Sequence, residues 1–386
     1  MPEYSIVIPT FQKKHNLKNT LLAFNHQMNL DFEILVIDDG STDDTGVLIT
    51  SLTGLKFPLS YFYLARDERS CSAKTRNYGL QKARGRIVIF LDDDMIVSPD
   101  FITEQGRYHQ KNGNILLLGG RYNLNHVPEE NELIEELPFN NLLRRNREDI
   151  NASEIRHFIF YESSYNFSIL PYPWLFAYSC NMSARKDLLI EIGGFDENYI
   201  TWGFEDIDLG YRIYKKGVKI LYNHKLEAIH QFHGFMESDG EKVNKSVGNI
   251  SYFLAKFPEL TEQGFSVEHF MKGMQEVSMA FTGKVRPEQA PDEYRNKIGA
   301  SGPRTKKVFK LLHLQQIAQL TALIHDEFHK DSEIIIFDFL ENTDLDYDIQ
   351  VAVSSPGVCK YYPISGQLIG NVLREIEQTG IPIADI

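Results

Sequence analysis

A doubly wound α/β domain, a mostly parallel sheet flanked by helices, is the fold class this chain predicts, and two observations predict it. Strand-like and helix-like patterns alternate about every 15 residues from Tyr4 to Leu118. Five consecutive apolar residues, Ile87 to Leu91, then run straight into Asp92, Asp93 and Asp94. A short run that is apolar throughout suits a strand buried on both faces. Open α/β sheets bind ligands in a crevice at the carboxyl edge of such strands. Carboxylates crowded there repel one another unless a cation sits among them, and an oxygen-only set suits Mg²⁺ or Mn²⁺. A lone run of three aspartates is equally well explained as a solvated turn, so its neighbours must decide.

Tyr4 to Pro9 is a first strand, ended by proline. Asn16 to Asn29 follows as a helix with Leu17, Leu21, Leu22 and Phe24 inward. Phe32 to Ile37 is a second strand that stops at Asp38, Asp39 and Gly40, and Ser41 is placed to cap the next helix with Asp44 three residues on. Leu59 to Leu64 is a third strand, and Ala73 to Ala83 a helix that Gly85 ends before the buried strand. Ser98, Pro99 and Asp100 open another helix, and Ile115 to Leu118 is the next strand. From Arg121 to Leu170 neither period persists, which predicts a long excursion over the carboxyl edge, as a lid or as a solvated insertion. Order returns at Trp174 to Ser183, then a helix from Arg185 to Ile192 closed by Gly193 and Gly194. Glu205 to Lys216 is a helix with Ile207, Tyr211 and Tyr214 on one face, and two short strands, Lys219 to Tyr222 and Glu227 to His230, come next. Helical patterning resumes from Lys242 to Phe257.

Beyond Pro258 the character changes. Gly283 to Pro303 reads as a linker, Thr305 to Phe328 as a long amphipathic helix, Glu333 to Phe339 and Ile349 to Val353 as strands, and Gln367 to Gln378 as a final helix. The expected organisation is a large domain over 1–257, with a donor half to about 120 and an acceptor half after it, a connecting segment over 258–303, and a small α/β or mainly helical domain over 304–386.

Apolar content of 42% and charged content of 24% are those of a globular chain. A formal net charge of −13 argues against nucleic acid as a partner. Cys71, Cys180 and Cys359 show neither ligand spacing nor a disulfide framework. The chain enters its first strand with no signal stretch, and no apolar run reaches membrane-spanning length, so cytoplasmic residence is expected, with peripheral membrane association left open.

Four segments converge on one sheet edge: Pro9, Thr10 and Phe11; Asp39 with Gly40; Lys74, Arg76 and Asn77 on a helix; and Asp92 to Asp94. A nucleoside diphosphate needs such parts: an aromatic face and a carboxylate for the base, cations and a metal for the pyrophosphate. Singly, Phe11 is as readily core, Asp39 a turn residue and Arg76 a surface ion pair.

The motifs Ser5 to Phe11, Ile37 to Thr45, Ala73 to Gly79 and Phe90 to Asp94, then Asn181 to Arg185, Gly193 to Glu197 and Trp202 to Arg212, resemble in order those of family 2 inverting glycosyltransferases. The Trp202-Gly-Phe-Glu-Asp206 segment is similar to that of chondroitin-polymerase-type and galactosyltransferase-type enzymes. The resemblance runs from Tyr4 to about Gly234 and implies a GT-A, Rossmann-like, mostly parallel sheet. It implies that Phe11 stacks on uracil and Asp39 accepts the ring N–H, that Arg76 lies near the diphosphate and Asp92 faces the ribose or sugar, with Pro9, Thr10, Asp93, Trp202 and Gly203 lining the donor. It further implies that Asp94 binds Mn²⁺ or Mg²⁺, that Asp206 is the general base, and that Glu205 positions the acceptor. His230 fits the family's metal-ligating histidine better than His233 does, without settling the choice. The partners implied are a UDP-sugar donor and a glycan, peptide or small-molecule acceptor. The change of pattern beyond Pro258 separately predicts that the tail serves acceptor binding or self-association into a homo-oligomer.

Independent chemistry agrees about the acidic pair. Glu205 and Asp206 open a helix, whose dipole favours their ionised forms, and inversion requires a carboxylate to take the acceptor proton. Capping alone is the plain alternative. Three other functions fit parts of the pattern. An aspartate-nucleophile sugar phosphatase matches Asp92 and Asp94, but its motif ends a first strand. A nucleotidyltransferase shares the sheet but needs a glycine-rich loop. A non-catalytic carbohydrate-binding protein would not need Asp94 together with Glu205 and Asp206.

Overall fold

The computed structural model describes residues 1–272 apart from 112, 125, 136–137, 147–169, 171, 227 and 234–238, and beyond them 305–311, 332–338, 358–363 and 383–385. Its contacts divide the chain into two units, Met1–His157 with Trp174–Gln289, and Phe158–Pro173 with Ala290–Ile386.

The described strands of the first unit are β1 (Tyr4–Thr10), β2 (Phe32–Asp38), β3 (Leu59–Tyr63), β4 (Ile87–Leu91), β5 (Met95–Val97), β6 (Ile115–Leu118), β7 (Arg121–Asn123), β8 (Asn181–Arg185), β9 (Lys219–Tyr222) and β10 (Ala228–His230). Seven make one sheet in the order β3-β2-β1-β4-β8-β6-β9. Only β8 runs against its neighbours, β4 and β6. Every residue of β2 and of β4 is buried, as strands covered on both faces require. The described helices include α1 (Lys14–Phe24), α2 (Thr45–Ser51), α3 (Ser72–Lys82), α4 (Phe101–Lys111), α5 (Glu130–Leu133), α6 (Pro138–Arg145), α7 (Lys186–Glu191), α8 (Glu205–Lys215), α9 (Asp239–Lys256) and α10 (Pro258–Glu262). This is the mostly parallel, helix-flanked sheet that the sequence predicts.

A second, three-stranded sheet (β5-β10-β7) lies beyond the end of β4. His230 of β10 pairs with Met95 of β5 and with Asn123 of β7. The ladder continues through Gln231 N–H to the Asp94 carbonyl at 2.9 Å. That pairing brings a histidine from the far end of the unit beside the last aspartate of the acidic run.

Several expected details are corrected. The helix expected over Asn16 to Asn29 ends at Phe24. Ser41 caps nothing: its hydroxyl accepts from Gln12 N–H at 2.9 Å, and α2 begins at Thr45 after Asp44 at φ +64°. Asp43 instead holds the Thr45 hydroxyl at 2.5 Å and its N–H at 3.3 Å. The excursion after Arg121 carries β7, α5 and α6, whose Leu133, Phe139 and Leu142 join Ile96 and Ile229 in one apolar cluster. On α8 Tyr214 is exposed, and Leu209, Tyr211 and Ile213 turn inward. Gly210 lets α8 lie against the Trp174 turn, where a Cβ would meet Ala177 Cβ at 2.5 Å. The apolar core continues past Pro258, with Phe265 5.7 Å from Trp174 and Phe270 5.1 Å from Phe204 between ring centroids.

The second unit contains the parallel strands β11 (Thr305–Leu311), β12 (Ser332–Asp338), β13 (Val358–Pro363) and β14 (Ile383–Asp385), in the order β13-β12-β11-β14. The helix expected from Thr305 is therefore a strand over its first seven residues. Short apolar runs fit either period, and pairing decides: Thr305 to Leu311 lies in register with Ser332 to Asp338. The strand expected near Glu333 is β12. The strand expected at Ile349 to Val353, the final helix at Gln367 to Gln378 and the linker at 283–303 lie outside the described residues. Among the described residues no helix is long and apolar enough to cross a membrane.

Candidate active site

The three aspartates after β4 part company. Asp93 turns to the Thr10 hydroxyl at 2.7 Å and to Lys13 at 3.3 Å. Burial pushes its carboxyl up to about 7, with Lys13 opposing and Asp94 adding to the rise. Asp94 is fully buried and faces three cationic or metal-ligating side chains, Lys13 Nζ at 2.7 Å, His230 Nε2 at 3.5 Å and His233 Nε2 at 3.6 Å. Burial would raise this carboxyl, but His230, Lys13 and His233 hold it below the usual carboxylate range. Burial also pushes the His230 imidazole down to about 4, which leaves it neutral at pH 7, while Lys13 keeps its charge: burial would lower its ammonium, but Asp93 and Asp94 beside it raise it. Neutral imidazole is the ligand form. Asp94, His230 and His233 each offer a ligand atom, all within 4.8 Å of one another, and Asp94 Oδ1 is buried without a hydrogen-bond partner. An orphaned carboxylate oxygen beside two imidazoles fits a divalent cation. The donor set is mixed, one carboxylate with two histidines, not the oxygen-only set that the aspartate run implied.

At the ends of β1 and β2, Phe11 and Asp39 lie side by side. Asp39 N–H donates to the Thr10 carbonyl at 2.9 Å, and the Phe11 ring is 39% exposed. Arg66 covers both: its guanidinium carbon lies 4.0 Å over the Phe11 ring, and Nη1 donates to Asp39 Oδ2 at 2.7 Å. Burial raises the Asp39 carboxyl and Arg66 opposes the rise.

Across the sheet edge, Arg76 of α3 ties the acidic run to the start of α8. Its Nη2 donates to Asp92 Oδ1 and its Nη1 to Glu205 Oε1, each at 3.1 Å. Burial alone would lower this guanidinium, yet Asp92, Glu205 and Asp206 raise it. Glu205 and Asp206 follow two residues with left-handed backbone, Gly203 at φ +83° and Phe204 at φ +78°. Such a φ is costly for phenylalanine; the buried ring is held by Phe253 and Phe270, with centroids at 5.6 and 5.1 Å. Burial and the adjacent Asp206 push Glu205 up to about 7 against the pull of Arg76. Asp206 accepts from Ser179 N–H at 3.1 Å and from Ile207 N–H at 2.8 Å. Its carboxyl is also raised by burial, with the Ser179 N–H and Arg76 opposing. The structure thus gathers a cluster fit for a cation, an aromatic-carboxylate slot and a pair of carboxylates around one edge. Pro9 stays within β1, paired with Ile37, and Trp202 is 51% exposed.

Residues 5–189 match the glycosyl transferase family 2, and residues 156–235 match the N-terminal domain of galactosyltransferase. Residues 5–189 of this chain are a glycosyl transferase family 2 domain. As a glycosyltransferase it is an enzyme of sugar transfer, and the phosphatase, nucleotidyltransferase and non-catalytic readings fall away. An uncharacterized glycosyltransferase of Bacillus subtilis, YfnE, is 26% identical over 84% of this chain and 82% of its own length. The validoxylamine A glucosyltransferase of Streptomyces hygroscopicus subsp. jinggangensis is 29% identical over 69% of this chain and 63% of its own. The chondroitin synthase of Escherichia coli is 28% identical over 55% of this chain, which spans 32% of that relative.

Residues of the candidate site that carry no sequence signal include Lys13, Arg66, Ser179 and Asn249. Asn249 of α9 donates to the Gly203 carbonyl at 2.7 Å and the Thr201 carbonyl at 3.1 Å, holding the turn that aims Glu205 and Asp206. Asp208 stands two residues beyond Asp206 on α8. It is fully buried, paired with Arg212 and with Lys256 at 2.7 Å, and accepts from Tyr199 at 3.0 Å. No periodicity reports such a clamp, since a buried aspartate and a solvated one look alike in sequence.

Proposed function

We propose that this glycosyltransferase moves a sugar from a UDP-sugar to an acceptor hydroxyl by a single displacement that inverts the anomeric carbon. The observation that carries the reading is the pairing of two acidic centres across one edge. Asp94, His230 and His233 converge within 4.8 Å, and Arg76 joins Asp92 to Glu205 at 3.1 Å on each side. Phe11 offers a ring face to uracil and Asp39 accepts the base N–H. Asp92 faces the ribose or sugar, with Pro9, Thr10, Asp93, Trp202 and Gly203 around it. Asp94 with His230, joined by His233, would hold Mn²⁺ or Mg²⁺; two nitrogen donors favour Mn²⁺, because Mg²⁺ prefers oxygen ligands. Such an ion supplies electrostatic stabilisation to the departing diphosphate. Asp206 takes the acceptor hydroxyl proton, and Glu205, whose carboxyl burial and Asp206 raise, is equipped to orient that hydroxyl. Arg76 keeps both carboxylates from repelling Asp92.

Replacing Asp206 with Asn tests the assignment, since the amide keeps the size and cannot accept the proton. Removal of a general base typically costs ~10²–10⁴ in rate. Transfer should fall by that factor while UDP affinity stays within about twofold, and the product of the native enzyme should show an inverted anomeric configuration by NMR. A near-native rate in Asp206→Asn removes Asp206 from the mechanism, and retention at the anomeric carbon overturns the single displacement.

A further inference from the structure

We propose that Arg66 is an internal occupant of the base slot, a side chain that the uracil of the donor must displace and that competes with bound UDP for the same two contacts. The inference rests on the reading of Phe11 and Asp39 as the uracil site. A uracil ring needs a flat face against an aromatic ring and a partner for its N–H. The Arg66 guanidinium is flat and delocalised, lies 4.0 Å over Phe11, and donates an N–H to Asp39 Oδ2 at 2.7 Å. One planar cation therefore satisfies the ring face and the carboxylate together. Those are the two features the base would use.

The position of Arg66 is built into the fold. Leu64 N–H donates to the Asp38 carbonyl at 2.8 Å, so the chain leaving β3 stays paired to the end of β2. Gly40 has φ +82°, and a Cβ there would lie 2.8 Å from Arg66 Cβ and 3.0 Å from Arg66 N. The absence of a side chain at Gly40 is what lets residue 66 approach the slot. The Arg66 side chain is 46% exposed, so the pair is partly solvated and easily exchanged. Solvent is also the place to which the guanidinium moves when a base enters. Re-entry of Arg66 then lowers the affinity for the UDP product and favours its release.

Calorimetry with UDP and Mn²⁺, and stopped-flow measurement of UDP association and dissociation, test this on the full chain. Arg66→Ala should bind UDP about three- to tenfold tighter, with faster association and slower dissociation. Removing a positive charge near a diphosphate weakens binding by simple electrostatics, so a gain in affinity identifies competition. Arg66→Lys keeps the charge but cannot stack a planar fork on Phe11, and it should lie between native and Ala. Unchanged or weaker UDP binding by folded Arg66→Ala overturns the proposal while the donor assignment stands. Failure of the native protein to bind UDP at all overturns the donor assignment and this inference with it.

Discussion

The ammonium of Lys13 lies 2.7 Å from Asp94 Oδ2 and 3.3 Å from Asp93 Oδ1. The chain thus supplies its own cation to the carboxylates at which a divalent ion is proposed to bind. Lys13→Met should bind Mn²⁺ about tenfold tighter, because a like charge leaves the site. Without metal the variant should melt at a lower temperature, since buried carboxylates lose their counter-ion, and Mn²⁺ should raise its melting temperature more than that of the native protein. Calorimetry and thermal unfolding in the absence of nucleotide check both effects. Weaker Mn²⁺ binding would mean that Lys13 orients Asp94 for the ion instead of competing with it.

Asp208 is a clamp between α8 and α9. Breaking a buried, multiply paired carboxylate costs about 3–5 kcal/mol. Asp208→Asn should lose about that much stability in urea unfolding, with transfer activity reduced by the fraction unfolded and no change in UDP affinity of the folded protein. Loss of activity in a variant of native stability would instead give Asp208 a part in the chemistry.

Glu205 makes stability depend on pH in a stated direction. Its folded-state pKa is about 7 against 4.5 for the ordinary side chain. Below about pH 4.5 both states hold the proton and its favourable linkage to folding is complete; as pH rises through about 7 the contribution is lost. Glu205→Gln, which carries no such charge, should be more stable than native protein at pH 8 by on the order of 1 kcal/mol, and the gain should vanish toward pH 4. Urea unfolding across that range measures it. Equal stability at pH 8 would show that Arg76 fully compensates the buried charge.

The tail is proposed to fold apart from the donor site and to serve acceptor binding or self-association. A chain ending at Gln289, the last residue of the first unit, should keep UDP affinity within about threefold. A folded truncation that binds no UDP would place donor-binding groups in the second unit.

The sequence by itself determined the sheet and the acidic edge. Ile87 to Leu91 is apolar without a break, so it had to be a doubly covered strand, and whatever followed it had to lie at the crevice. Phe11, Asp39, Asp92 to Asp94 and the Glu205-Asp206 pair could be found because each stands next to a strand end or a helix start that local patterning marks. Tertiary structure decided everything that depends on which distant segments touch. Lys13 and Asp94 are 81 residues apart in sequence, Arg66 reaches Asp39 only because Gly40 has no side chain, and His230 and His233 meet Asp94 only because β10 pairs with β5. Thr305 to Leu311 became a strand because Ser332 to Asp338 lay beside it. Periodicity reports which face of an element is buried and where the element stops. It carries no record of the partner a lone cation or a short apolar run will meet, because that partner is set by close approach between segments far apart along the chain.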